Sequence, residues 1–433
     1  MSFSVAMVAA CPFPANHGTP AAIREMSEEL ARRGHSIRVV TYPLSHAIPI
    51  TGVEIDRVAH VGSNREISVG PSYQRLAFDA LLVFKLFQVV RRHKIQVIHA
   101  HNYEGALVGG FVGKVTWVPV IYNAINTMIG ELPSFNFIRP RPLAVGLAKV
   151  LDYVVPRLAD MIIADTEELR LFLLSKGIDP ARVVTIHSGV WPEMFDAADG
   201  SRVRDRFAAD GGPLVIYTGT FDDFQGIDHL MAAFKIVHEC KPAARLLLVG
   251  STINPAHYAK YQRMAVDLGF APRFAITSCS LDELPGFLAA ADVAVVPRPD
   301  SAGIPTKLLN YMAAGNAIVS FKQSATILRH GETAFLVDPA THSNFAQGIL
   351  TVLDDPGLAQ KLRTNVKSFV LGRFDWPSIG AKLEAIYHGL VAKSPASTAH
   401  VDGKRPVVSM QTPAPSKEQQ STDAVRPLTH RKS

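Results

Sequence analysis

The stretch from Arg298 to Ser320 reads R-P-D-S-A-G-I-P-T-K-L-L-N-Y-M-A-A-G-N-A-I-V-S, and its reading decides the fold. Just before it, Asp292–Pro297 (D-V-A-V-V-P) is an apolar, β-branched run suited to a buried parallel strand. A loop with Gly303 and Pro305 follows. A helix is expected next, with Pro305 near its first position, Leu308, Leu309 and Met312 on one face, and Gly315 as its stop. Ala317–Ser320 then starts another strand. The result is a βαβ unit whose glycine-containing loop feeds a helix N-terminus. Free N–H groups and the positive end of the helix dipole favour a phosphate there. Lys307 puts a cation in the first turn, which opposes the dipole unless an anion is bound. A plain strand–loop–helix connection is the other reading of the same pattern.

The alternation continues on both sides. Upstream, Leu214–Thr218 and Arg245–Gly250 read as strands, and Asp228–Glu239, Ala256–Leu268 and Leu281–Ala291 as helices. Downstream, Asn344–Leu353, Gly357–Val370 and Phe374–Leu390 read as helices. The first half repeats the theme. Strands are expected at Val5–Ala10, His35–Tyr42, Ile95–Ala100, Pro119–Ala124, Met161–Ala164 and Val183–Ser188. Helices fall at Ala21–Arg33, Tyr73–Lys94 and Ala144–Leu158. Gly200–Gly212 is polar and ends in Gly-Gly-Pro, which marks a boundary. Two α/β runs of this kind imply two Rossmann-like domains around a cleft. After Ser394 the composition is Ser, Thr, Pro, Gln and charge, the signature of a disordered tail.

Composition bounds the rest. The chain has 433 residues, 48 % hydrophobic and 19 % charged, which suits a globular body larger than one core. Of the net +6, half sits in the tail, which holds six basic residues against three acidic ones. The remainder is too small to imply nucleic acid, but suits anionic lipid heads or phosphorylated substrates. Cys11, Cys240 and Cys279 are odd in number and widely spaced, which fits a reducing cytoplasm and argues against a disulfide framework or zinc cluster. Met1–Ala10 lacks a basic n-region and reads as a core strand rather than a signal peptide. No apolar run is long enough to span a membrane. Tyr73–Lys94 is apolar around most of its circumference. It reads as core packing, or as an interfacial helix with Arg91, Arg92 and Lys94 at lipid heads. His99 and His101, two apart on a strand, share one face. A third metal ligand is not evident beside them, so no metal is assigned. At a strand C-terminus, His101 and Glu104 are candidate acceptor contacts.

The sequence G-I-P-T-K-L-L-x-Y-M-A-A-G-x-x-I-V resembles the nucleotide-sugar loop of the retaining glycosyltransferases of family 4, which have the GT-B fold. The resemblance spans Ser4 to Val391. It implies an acceptor-side Rossmann-like domain at 1–200, a nucleotide-sugar domain at 212–372, a helix at 373–393 that crosses back, and the tail at 394–433. In that family the helix carries the second Glu of a Glu, seven residues, Glu motif, which holds the donor ribose. Here that position is Asn310, and the first is Ala302. Many members place an Arg and a Lys against the donor diphosphate in the loop Gly219–Asp228; here Phe221 and Gln225 stand there. An Asp and a His are common where this chain has Asn123, Ile125 and Asn126, and an Asp where it has Trp191. Gly331–Val337 matches a family hairpin.

The resemblance therefore assigns the donor to Thr19, Gly219, Thr220, Gln225, Arg298, Gly303, Ile304, Pro305, Thr306, Lys307 and Asn310. Gly18, His101, Asn123 and Glu131 are placed at the reacting centre. No Asp-x-Asp occurs in the chain, so metal-independent stabilisation of the leaving diphosphate by dipoles and cations is expected. The implied activity is retaining transfer of a sugar from a nucleotide-diphosphate donor to a lipid-linked or carbohydrate acceptor, in polysaccharide or glycolipid synthesis. The expected setting is cytoplasmic, with peripheral attachment to an anionic membrane surface and no cofactor. The missing carboxylates leave open a non-catalytic protein that binds a nucleotide sugar or a partner enzyme, and more remotely an epimerase.

Overall fold

The computed structural model describes residues 2–15, 18–43, 48–60, 72–134, 137–250, 254–299 and 304–393. Among them the strands form two all-parallel sheets. The first has the order β3-β2-β1-β4-β5-β6-β7, built from Ser4–Ala9, Ser36–Thr41, Val53–Arg57, Val97–His101, Val120–Ala124, Met161–Ala164 and Val183–Thr185 as β1 to β7. The second has the order β10-β9-β8-β11-β12-β13, with Leu214–Thr218, Arg245–Gly250, Phe274–Ser278, Val293–Val296, Ile318–Phe321 and Phe335–Val337 as β8 to β13. The helices of the first body are α1 (Gly18–Arg32), α2 (Tyr73–His93), α3 (Asn102–Thr116), α4 (Met128–Glu131), α5 (Arg141–Val154) and α6 (Glu167–Ser175). Those of the second are α7 (Glu193–Asp196), α8 (Ser201–Phe207), α9 (Ile227–Cys240), α10 (Pro255–Asp267), α11 (Leu284–Ala289), α12 (Thr306–Ala313), α13 (His342–Asp354) and α14 (Pro356–Val370). A final helix, α15 (Trp376–Lys393), follows.

Each sheet is covered on both faces, which is why its strands read as apolar runs. In the first body one face packs α2, α3 and α5 over Val8, Tyr42, Ile98 and Tyr122. α3 is unexpected from sequence, because four glycines lower its helix propensity. They are there for contact. A Cβ on Gly105 would lie 3.0 Å from the Val8 carbonyl oxygen, and one on Gly110 would lie 2.6 Å from Leu158 Cβ.

The opposite face of the first sheet is closed by α1 and by α15, the chain's return from the second body. Trp376, Ile379, Leu383 and Tyr387 are fully buried against Phe3, Val5 and Met7. Burying an Ile or Leu contributes about 1.5–3 kcal/mol. Polar ties reinforce the seam: Trp376 Nε1 donates to Glu25 at 2.8 Å, and Arg33 donates to Glu384 at 2.6 and 3.1 Å.

Two expectations are corrected. The boundary does not lie at Gly200–Gly212. Trp191 still packs on the first body, but Phe195 belongs to a core of the second, Arg204 pairs with Asp292 at 2.6 Å, and α7 and α8 pack on α11, so the chain passes into the second body before Phe195. The glycines instead allow close packing: a Cβ on Gly200 would strike the Ala290 backbone. Gly331–Val337 is not a hairpin either. It is a turn leading into β13, which pairs parallel with β12. The tail, 394–433, lies outside the described residues.

Candidate functional site

The second sheet sends β8 and β11 to one edge, where α12 begins. Pro305 is the extended N-cap and Thr306 the first helical residue, while Gly315, at φ +67°, follows the helix end. Tyr311 locks this helix to β8: its hydroxyl accepts the Thr218 amide at 2.7 Å. Lys307 turns inward. Its side chain is buried, and its ammonium donates to the Tyr217 hydroxyl at 2.6 Å and to Gln225 Oε1 at 2.9 Å. It also sits 3.8 Å above the Tyr217 ring. Among the described residues these partners are neutral. Burial, with Arg298 close by, holds the lysine well below its ordinary pKa, and Asp222 opposes this.

Gly219 makes room for that ammonium. At φ +132° it occupies backbone space that side chains avoid, and a Cβ there would stand 2.8 Å from Lys307 Nζ. The loop after β8 is tied together. The Tyr217 hydroxyl donates to the Thr220 carbonyl at 2.7 Å, and Gln225 Nε2 donates to Thr220 Oγ1 at 3.3 Å. Gln225 thus bridges the loop to Lys307, which brings a cation from α12 to the loop position where a lysine was missed. Phe221, the other expected gap, is a core residue packed on Tyr217 and Tyr261. Arg298 lies over the exposed ring of Phe224 at 5.1 Å, and its carbonyl accepts the Ser324 hydroxyl at 2.6 Å. Thr306 is exposed and Asn310, one turn on, half-buried; Ile304 is half-buried and Pro305 buried. Gly303 and Ala302 lie outside the described residues.

In the first body Gly18 and Thr19 begin α1 beyond the end of β1, as a βα loop requires, and Gly18 is exposed at φ +60°. His101 ends β4. It is 1 % exposed and stacks on His99, with ring centroids 4.7 Å apart. The physical reason is strand alternation: both imidazoles point to the face that α15 covers, where His99 Nδ1 meets the Tyr387 hydroxyl at 2.8 Å. Burial drives both histidines down, His99 to about 3 against a favourable Asn123 contact. His101 is therefore a neutral packed ring at the end of β4, and its Nε2 has no hydrogen-bond partner among the described residues. Asn123, opposite it on β5, is nearly buried. Glu131, at the end of α4, bonds Asn126 Nδ2, and burial raises its pKa.

Sequence reasoning missed the groups that hold these residues. Tyr217 and Tyr311 fix Lys307 and α12. On the first sheet, Asp79 accepts the Tyr42 hydroxyl at 2.6 Å, and burial lifts its pKa to about 6. Arg75 donates to the Ala10 carbonyl at 3.1 Å at the end of β1. Asp152 accepts the amides of Met128 and Ile129 at 2.8 and 3.0 Å and the Tyr103 hydroxyl. Of these, Tyr217 at the C-terminus of β8 carried the usable signal. Among the described residues no group of three or more His, Cys, Asp or Glu could hold a metal ion.

Comparison with known proteins agrees with this layout. Residues 17–193 match the model described as Glycosyltransferase Family 4, and residues 212–355 that described as Glycosyl transferases group 1. The D-inositol 3-phosphate glycosyltransferase 1 of Catenulispora acidiphila is 26 % identical over 310 residues, covering 68 % of this chain and 72 % of that protein. The N-acetyl-alpha-D-glucosaminyl L-malate synthase of Bacillus anthracis is 21 % identical over 391 residues, covering 88 % and 96 %. Among solved structures, Anabaena HepE in complex with UDP superposes with a TM-score of 0.70 at 17 % identity, covering 89 % of this chain and 100 % of HepE.

Proposed function

Because the chain belongs to glycosyltransferase family 4 and is a glycosyltransferase of the GT-B fold, we propose that it transfers a sugar, with retention, from a nucleotide diphosphate held by the second body. One observation carries the donor assignment: the buried Lys307 ammonium has neutral partners among the described residues, beside Arg298 and at the start of a helix. Burying an ion costs several kcal/mol after relaxation, and an anionic ligand offsets that cost. A diphosphate at Gly219 and the start of α12 supplies the charge, and Asn310 takes the ribose. Charge on the departing diphosphate is then stabilised by Arg298, Lys307 and backbone amides, without a resident metal. The acceptor is held by the first body, near Gly18, Thr19, Asn123 and Glu131. Its class is a lipid-linked or carbohydrate acceptor of polysaccharide or glycolipid synthesis, used at the cytoplasmic face of a membrane.

The test is titration of the protein with UDP, GDP and ADP, with and without EDTA. Release of nucleoside diphosphate from the matching nucleotide sugar is then followed, with NMR of the product anomer. Binding that survives EDTA, turnover, and a product of the donor's own configuration are expected. Loss of binding in EDTA overturns the metal-independent reading, and an inverted product overturns retention. The replacement of both motif carboxylates, at Ala302 and Asn310, favours a second reading, a protein that holds the nucleotide sugar without transfer. Tight binding with no release under any acceptor would establish it.

A further inference from the structure

The layer of α2, α3 and α5 has an outer surface unlike that of a water-facing helix layer. α5 is amphipathic in reverse: Ala144, Ala148 and Asp152 face inward, while Leu143, Leu147, Val150 and Tyr153 face out. On α2, Phe84 is 69 % exposed and Phe87 is open as well; on α3, Leu107 and Phe111 are exposed. α3 packs on α2 and is bonded to α5 through Tyr103 and Asp152. Single exposed apolar residues are ordinary, but a patch spread over three adjoining helices marks an interaction surface.

The charge on this surface has one sign. Each helix carries one acid, and none is exposed: Asp79 is bonded to Tyr42, Asp152 is buried, and Glu104 is half-buried. The exposed charged residues are Arg91 and Arg92 at the end of α2, Lys114 on α3, and Arg141 and Lys149 on α5. A water-facing helix surface ordinarily mixes both signs. Exposed apolar groups with cations on the same helices fit a partner with anionic heads over a hydrocarbon interior. A second copy pairing through the same face would set these cations against themselves. No helix among the described residues is long and apolar enough to cross a membrane, so attachment is at the surface.

We propose that the outer face of α2, α3 and α5 docks on an anionic lipid bilayer. This rests on the reading of the first body as the acceptor side, and it fixes how the acceptor arrives. The first turn of α2 joins the patch to the strand ends: exposed Tyr73 pairs with Phe137 at 5.3 Å, while Arg75, two residues on, bonds the Ala10 carbonyl. A lipid-borne acceptor hydroxyl would rise beside Tyr73 into the acceptor side.

The test is co-sedimentation of the full chain with vesicles of phosphatidylcholine, alone or mixed with phosphatidylglycerol. Binding to the mixed vesicles at low salt, weakening as salt rises, is expected. Arg91→Glu with Arg92→Glu should cut the partition coefficient by about tenfold or more. Leu147→Ser with Val150→Ser should cut it several-fold with the charge unchanged, and thermal melting should not move, since both residues are exposed. No sedimentation at low salt overturns the proposal. So does binding indifferent to Leu147 and Val150, which is charge attraction alone. A dimer in ultracentrifugation that dissociates in the Leu147→Ser variant overturns it in favour of a second copy. Nucleotide affinity, measured on the same samples, separates the two readings: its absence with vesicle binding intact faults the donor site and leaves the docking face standing.

Discussion

At the edge of the second sheet, a lysine ammonium is shut in against a phenol, an amide oxygen and a ring face. At the edge of the first sheet, Asp79 is bonded to Tyr42, Asp152 to Tyr103 and two amides, and His99 to Tyr387. These buried carboxylates of the first body have donors in place, and the stacked pair His99 and His101 stays neutral. The buried cation of the second is bonded only to neutral groups among the described residues, with Asp222 as a counter-charge that does not offset its burial. An anion would therefore gain more from the second edge than from the buried carboxylates of the first.

Lys307→Met should give the largest effect and the sharpest contrast. Removing a charged donor to a phosphate costs about 2.7 kcal/mol, or about a hundredfold in nucleoside diphosphate affinity by calorimetry. The melting temperature should hold or rise, because a buried charge bonded only to neutral groups goes with it. Unchanged affinity would place the diphosphate elsewhere. The wild-type pH dependence has a definite sign. A bound diphosphate favours the ammonium, so the complex holds more protons than the free protein. Affinity should fall as pH rises through the depressed lysine pKa of the free protein, and Lys307→Met should flatten that slope.

Gly219→Ala should come next. The new Cβ meets Lys307 Nζ on a backbone side chains avoid, so a stability loss of about 1–3 kcal/mol and about a tenfold loss of affinity are expected from melts and titrations. Tyr387→Phe probes the other edge. It should cost about 1 kcal/mol in a denaturant melt and leave nucleotide affinity alone; a shift in affinity would show the two edges to be coupled through α15. The smallest effect belongs to Asn310. Asn310→Ala should weaken nucleotide binding several-fold, on the order of 1 kcal/mol. Asn310→Glu should gain little alone and more with Gln225→Lys, since the site then recovers charge of both signs. No change in Asn310→Ala would remove the ribose contact.

Much of the second body was legible in sequence because local signals agreed there. Leu214–Thr218 and Arg245–Gly250 are strands with those bounds, and Pro305 and Gly315 frame α12. What stayed hidden depends on distant partners. The inward turn of Lys307 is set by Tyr217, 90 residues away, and the closure of His101 by its stacking on His99 under α15. α3 was missed because glycine opposes helix formation locally while permitting close contact with the sheet. The body boundary was misplaced because Gly200 and Gly212 read as linker residues, yet a Cβ on either would strike a neighbouring backbone, at Ala290 and Ala243.

The return of α15 also sets an order of events during synthesis. One face of the first sheet is closed by Trp376, Ile379, Leu383 and Tyr387, residues made only after the whole second body. At about 5–20 residues per second, the ribosome needs on the order of half a minute to travel from Phe3 to its partners on α15. For that interval Phe3, Val5 and Met7 wait with an uncovered side, a surface that chaperones bind and that sticks to other nascent chains. The first domain to leave the ribosome is thus the last to be finished, and a chain cut short before Trp376 would keep its second core whole and leave its first core open.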